Sequence, residues 1–316
     1  MRIFQCPACG QRLYFENSVC GACGAEVSYD PERRDMVAGG AGCTNRGEIG
    51  CNWVAEARGL CRSCGMTETV PDLRAAENRD LWAWTEASKR WLLANLSEWG
   101  WFMARDAGAR PLFRLLSEKT AAGAENVVMG HADGVITINV SEAGEAEVTR
   151  RREELGELYR TMLGHMRHEM AHFLFLRLAE DAEFLPAFRA LFGDERADYG
   201  DALKRHYARP GQAGSHYVTS YASAHPHEDW AETTAHLLHL IDLLDSAQAV
   251  GLTLGAVPAY AVRETEHLIR QAIDVSIAAN HVNRAMEVPD LYPFVLGQGV
   301  AEKMAFVHGW LRRGVS

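Results

Sequence analysis

The segment His168-Glu169-Met170-Ala171-His172 holds the residue types needed for metal-assisted hydrolysis. Leu155, Leu158, Met162, Met166, Met170, Phe173 and Leu174 recur through it at helical spacing, so it is predicted to be a helix over 153–181. On a helix His168 and His172 project from one face, one turn apart. Two imidazoles so placed can share one Zn2+ at about 2.0–2.1 Å each. Glu169 lies about 100° further round and leans over the open side of the ion. From there it can take a proton from a water whose pKa zinc lowers toward ~7, and pass it to the amine leaving a broken peptide bond. His165, one turn before His168, suits a supporting or solvent-facing role better than ligation.

Two His leave the site short of a third protein ligand. A further His six residues after His172 would complete one known spacing, but that position is Leu178. The best candidate lies in His225-Pro226-His227-Glu228-Asp229-Trp230-Ala231-Glu232, where Pro226 suits the first turn of a helix over 227–247. Glu228 and Glu232 share a face of it. That suits Glu228 on the metal and Glu232 on the outer N–H of a ligand His. Two carboxylates one turn apart repel unless they share a cation, so their pairing argues for one. Rivals are Asp194 and Glu195, followed by Asp198, which begin 22 residues after His172; Asp229 and His225 are weaker.

The order HExxH then Glu-x-x-Ala-Glu resembles the gluzincin clan of metallopeptidases, and lethal-factor-type peptidases in particular. The wider chain resembles a bacterial family of zinc-binding metallopeptidases that carry an N-terminal zinc ribbon. The resemblance rests on segments 134–139, 160–169, 191–199 and 220–226 and covers most of the chain. It implies that Glu228 is the third ligand and Glu232 its supporting neighbour. It also implies a catalytic Tyr in the loop before that helix. Tyr221 is the best match, with Tyr217, His216 and His225 as alternatives, to steady the oxyanion that forms at the scissile carbonyl.

All eight cysteines fall in the first 64 residues. Cys6-Pro-Ala-Cys9-Gly and Cys20-Gly-Ala-Cys23-Gly are two knuckles, and together they make a four-cysteine zinc-ribbon site. Iron in a rubredoxin-like setting is the alternative ion. Cys43, Cys51, Cys61 and Cys64 form a second, irregular set that is predicted to hold another zinc. Three zinc ions per chain are therefore expected, one catalytic and two structural.

Composition bounds the rest. The chain has 316 residues, 47% hydrophobic and 23% charged, which is a globular balance. Its net charge is −10, and residues 1–70 carry seven Arg against eight acids, so no nucleic-acid or membrane partner is expected. The ribbon reads as a protein-docking or scaffold module. The thiol-rich start lacks an apolar leader, so the cytoplasm is the expected location.

The positioning elements complete an α+β reading. Residues 1–70 form the zinc-ribbon module, and 71–316 a mainly helical gluzincin-type metallopeptidase domain with a small sheet and a helical C-terminal part at about 227–316. A helix is predicted over 72–106, its core stripe including Leu81, Trp84, Trp91, Leu92, Leu96 and Trp99. A hairpin is predicted over 127–140, with Val127, Val128 and Met129 in its first arm and a turn at Ala132-Asp133-Gly134. Its second arm, Gly134 to Val140, is the edge strand along which an extended substrate could lie. Further helices are predicted over 183–192, 195–208, 260–284 and 300–313. The function expected is a zinc-dependent peptidase acting on peptide or protein substrates. The alternative is a non-catalytic ribbon protein with a structural zinc in its helical part.

Overall fold

In a computed structural model that describes residues 2–314 apart from 145–146, 148–149, 151–160, 210, 212 and 254–256, the two N-terminal knuckles close through the same pair of backbone bonds. Cys6 N–H donates to Gln11 and Cys20 N–H to Ala25, while Gly10 and Gly24 N–H donate back to Cys6 and Cys20. The turn needs positive φ at each glycine, 75° at Gly10 and 72° at Gly24. A Cβ at either would meet nothing within 4 Å, so conformation rather than crowding selects glycine there.

The chain divides into two compact units, Met1–Met166 and Arg167–Gly314. In the first, hairpins β1 (Phe4–Gln5) with β2 (Arg12–Leu13) and β3 (Val27–Asp30) with β4 (Asp35–Ala38) frame the first cysteine set. Short helices α1 (Arg46–Ile49) and α2 (Arg62–Gly65) flank the second. Phe4 and Phe15 meet Tyr29 edge-on at 5.9 and 4.9 Å, and Phe15 also meets Trp91 at 5.5 Å. Trp91 belongs to α3 (Asn78–Ser97), which therefore clamps the ribbon as its aromatic pattern suggests. The helix is shorter than predicted, because the chain turns away through Gly100 and Phe102, both at positive φ. Trp84 is exposed and lies outside the core stripe.

Strands β5 (Thr67–Thr69), β6 (Leu112–Leu116), β9 (Gly130–Ala132) and β10 (Val135–Asn139) form a mixed sheet in the order β5-β6-β10-β9; β7 (Lys119–Thr120) and β8 (Gly123–Ala124) pair separately. Phe113, Leu115, Ile136 and Ile138 bury its inner face. Asp133 and Gly134, at φ 49° and 80°, join β9 to β10 in the mirror-image turn that an Asp-Gly pair favours. The first arm is thus Gly130–Ala132, three residues beyond the predicted Val127–Met129. β10 is not an edge strand. It pairs with β6 along its whole length and with β9 over Val135–Thr137, so the ladder expected for a substrate is already taken there.

The second unit is built of helices. α4 (Met162–Leu178) carries the HExxH sequence, and the first part of its predicted span lies outside the described residues. α5 (Phe184–Phe192), α6 (Tyr199–Ala208), α7 (Pro226–Ala249), α8 (Thr265–Ala285) and α9 (Gln298–Arg313) follow near their predicted positions. Among the described residues after 153 there is no strand. Phe175, Phe184, Phe188 and Trp230 meet edge-on at 5.0–5.9 Å to make the core beneath α4 and α7. The fold class is α+β, with an N-terminal zinc ribbon and a mostly helical remainder. No described helix is long and apolar enough to cross a membrane.

One buried ion pair joins four elements of the first unit. Lys89 and Glu86 are both 0% exposed and lie 2.8 Å apart. Glu86 also accepts from Thr67 Oγ1 at 2.5 Å and from Ser63 at 3.5 Å, and Lys89 lies over the Phe113 ring. Lys89→Ala should strip a buried carboxylate of its cation and cost about 3–5 kcal/mol, measured by denaturant unfolding followed by Trp fluorescence. Glu86→Leu combined with Lys89→Met should recover most of that loss. Equal stability of Lys89→Ala and the native chain would show that the pair carries no such weight.

Candidate active site

The sequence of α4 sets two imidazoles one turn apart, and α7 brings a carboxylate to them. His168 and His172 have their Nε2 atoms 3.2 Å apart. Glu228 Oε2 lies 3.0 Å from His168 Nε2, and Glu228 Oε1 3.6 Å from His172 Nε2. The donor atoms of these three residues all fall within 4.8 Å of one another, so the group could hold a metal ion. Glu228 is buried, yet its Oε2 makes no hydrogen bond of sound geometry, and neither does Glu169 Oε2. Buried polar atoms are ordinarily paired. Glu228 Oε2 instead faces the His168 imidazole without such a bond, as a ligand atom of a shared cation does, and two imidazoles with a carboxylate are a zinc donor set.

Neighbours hold the donors in place. Glu232 Oε1 accepts from His168 Nδ1 at 2.7 Å, which leaves Nε2 facing the cluster. Thr219 Oγ1 donates to Glu232 Oε2 at 2.7 Å from the loop before α7. Trp230 Nε1 donates to the Ala171 carbonyl at 2.8 Å, and Arg167 pairs with Asp242 at 2.6 Å and contacts His239. These contacts pin α4 to α7 on both sides of His168. Tyr221 stands in a short turn over Tyr221–Ser223, its ring 6.1 Å from that of His168. Tyr199 OH donates to Glu228 Oε1 at 2.9 Å.

The electrostatics fit a cation between these groups. Burial alone would lower the His168 pKa, but Glu228 and Glu232 outweigh it and raise it well above the usual value. Burial would raise Glu228, yet His168 and His172 hold it far below the carboxylate range. Glu232 is lowered to about 2, with the His168 hydrogen bond outweighing burial. A proton on His168 thus does electrostatically what a metal ion would do in its place.

The rival ligands are engaged elsewhere. Asp194 pairs with Arg196 at 2.8 Å, Glu195 with Arg189 at 2.9 Å, and Asp198 caps α6. Asp229 pairs with Lys303 at 2.5 Å. His225 Nδ1 accepts from the His227 N–H and its Nε2 donates to the Ala197 carbonyl, so both ring nitrogens are used. Lys303 donates to the His216 carbonyl and covers the Tyr217 ring, which sets both residues beside α9. His165 lies 3.0 Å from Glu142. Sequence reading missed Tyr199 and Thr219. Only the Asp198 cap, which starts a helix at Tyr199, marked the first locally; no signal marked the second.

The cysteine sets converge as well. Cys6 to Cys23 and Cys9 to Cys20 span 3.8 Å between sulfurs, and Cys51 lies 3.6 Å from Cys61 and 3.8 Å from Cys64. A disulfide requires about 2.05 Å. A tetrahedron with metal–sulfur bonds of ~2.3 Å has edges of about 3.8 Å. Cys9 and Cys23 are exposed, while Cys43, Cys51, Cys61 and Cys64 are all buried.

A family described as putative zinc-binding metallo-peptidase matches residues 78–310, and a zinc-ribbon domain matches residues 3–42. Proteins of Mycobacterium bovis and of two strains of Mycobacterium tuberculosis, each described as uncharacterized, are 40% identical over 326 residues, covering 98% of this chain and 94% of theirs. No solved structure matches.

The raised His168 pKa fixes the sign of one pH dependence. A cation at this cluster must displace the His168 proton, so binding should tighten as pH rises from the usual imidazole value toward the raised one, by about tenfold per pH unit. Zinc titrations by chelator competition at several pH values measure that slope. A flat profile would mean that His168 is not displaced.

Proposed function

We propose that this chain, which belongs to the family of putative zinc-binding metallo-peptidases, is a gluzincin-type zinc peptidase with two structural zincs in its ribbon and one at His168, His172 and Glu228. The observation that carries this reading is the convergence of those three donors, with Glu169 next to His168 in the chain and its buried Oε2 without a hydrogen bond. A purely structural site has no use for such a base. Bound there, zinc would supply a Lewis acid and lower the pKa of a water toward ~7.

The protein's own groups do the rest. Glu169, buried and one residue from His168, takes the proton of the attacking water and hands it to the leaving nitrogen. Glu232 holds His168 by Nδ1, and Thr219 holds Glu232. Tyr221 offers its hydroxyl to the oxyanion that develops on the scissile carbonyl. The family supports a peptide or protein substrate, and the ribbon offers a surface for docking one.

The full-length protein should contain three zinc ions per chain by metal analysis, and Glu228→Ala should leave two. Three ions retained in Glu228→Ala would remove Glu228 from the site. Glu169→Gln should keep all three and lose about 10²–10⁴-fold or more of the cleavage measured on a fluorogenic peptide library, since an amide is no base. Equal cleavage by wild type and Glu169→Gln would end the Glu169 mechanism, and no cleavage by wild type itself would leave the non-catalytic reading, with a structural zinc.

A further inference from the structure

We propose that Tyr199 is a positioning residue for the third ligand, orienting Glu228 through a hydrogen bond to one of its two carboxylate oxygens. This rests on the zinc-peptidase reading above. Tyr199 opens α6, a helix in which only Ala202 is buried, so little core packing explains its placement. The residue is 43% exposed, and its ring meets His225 edge-on at 5.2 Å. Its hydroxyl nevertheless reaches the inner end of Glu228, donating to Oε1 at 2.9 Å.

The proton count gives this bond a direction. A buried carboxylate can only accept, so the single Tyr199 proton is committed to Glu228 Oε1. With Oε1 held by Tyr199, Oε2 is the oxygen left without a hydrogen bond and turned to His168. The hydroxyl thereby sets which oxygen of the carboxylate faces the ion.

Tyr199→Phe keeps the ring and deletes only the hydroxyl. It is compared with Tyr221→Phe, Tyr199→Leu and Glu228→Ala, all in the full chain. Zinc affinity at the His168 site is read by chelator competition. Tyr199→Phe should weaken that zinc by about 10–100-fold while the cysteine-bound ions stay. Tyr221→Phe should leave the affinity within about twofold. Native zinc affinity in Tyr199→Phe, with or without a loss in Tyr199→Leu, would show that the hydroxyl does not position Glu228 and would overturn the proposal. Equal zinc content in the native chain and Glu228→Ala would overturn the metal reading along with it.

Discussion

Like charges brought together out of water must be neutralised, and the second unit is arranged around that requirement. Glu228 and Glu232 sit one turn apart on α7, the first buried and the second nearly so. Neither could remain ionised there without positive charge between it and the imidazoles of α4. With Leu178 at the position where a nearby third His could stand, the remaining donor comes from an element distant in sequence. The relative placement of α4 and α7 then becomes the critical dimension. Phe175, Phe184, Phe188 and Trp230 fix it from below, and the Arg167–Asp242 pair and the Trp230–Ala171 bond fix it along the helices.

The first unit meets the opposite problem, too little apolar mass in its first 70 residues. It answers with three devices: aromatic contacts around Tyr29, sulfur clusters at tetrahedral spacing, and the Lys89–Glu86 pair buried under the sheet. The aromatic contacts and the buried pair lean on α3. That helix is accordingly rich in Trp and yet carries a Lys and a Glu with no solvent contact.

What could be read in the sequence was whatever depends on spacing along the chain. The knuckles, the HExxH pair and the Glu228–Glu232 turn are each written within a few residues, and the structure assembles each as a cluster. The long helices were legible by period. Strands β5 and β6 were not read, although Leu112–Leu116 alternates exposed and buried residues, because five residues give too short a pattern to stand out. The hairpin arm was misplaced because Val127 and Val128 look like strand, whereas the Asp133-Gly134 turn sets the register back from Val135 to Ala132. Nor can periodicity tell which strand lies at an edge, and β9 covers β10. Tyr199 and Thr219 reach the site only through the way α6 and the loop before α7 fold back over it, and no local pattern records that.

The unequal burial of the two cysteine sets makes them chemically unequal in time. A thiol-directed reagent must touch sulfur, and in the folded chain Cys9 and Cys23 are within its reach. The set of Cys43, Cys51, Cys61 and Cys64 is sealed and reacts only when the structure around it opens. Oxidative damage would therefore dismantle the ribbon in a fixed order, with the outer knuckles opening first. The inner cluster, with the seat of α3 beside it, would survive on the slower clock of local unfolding.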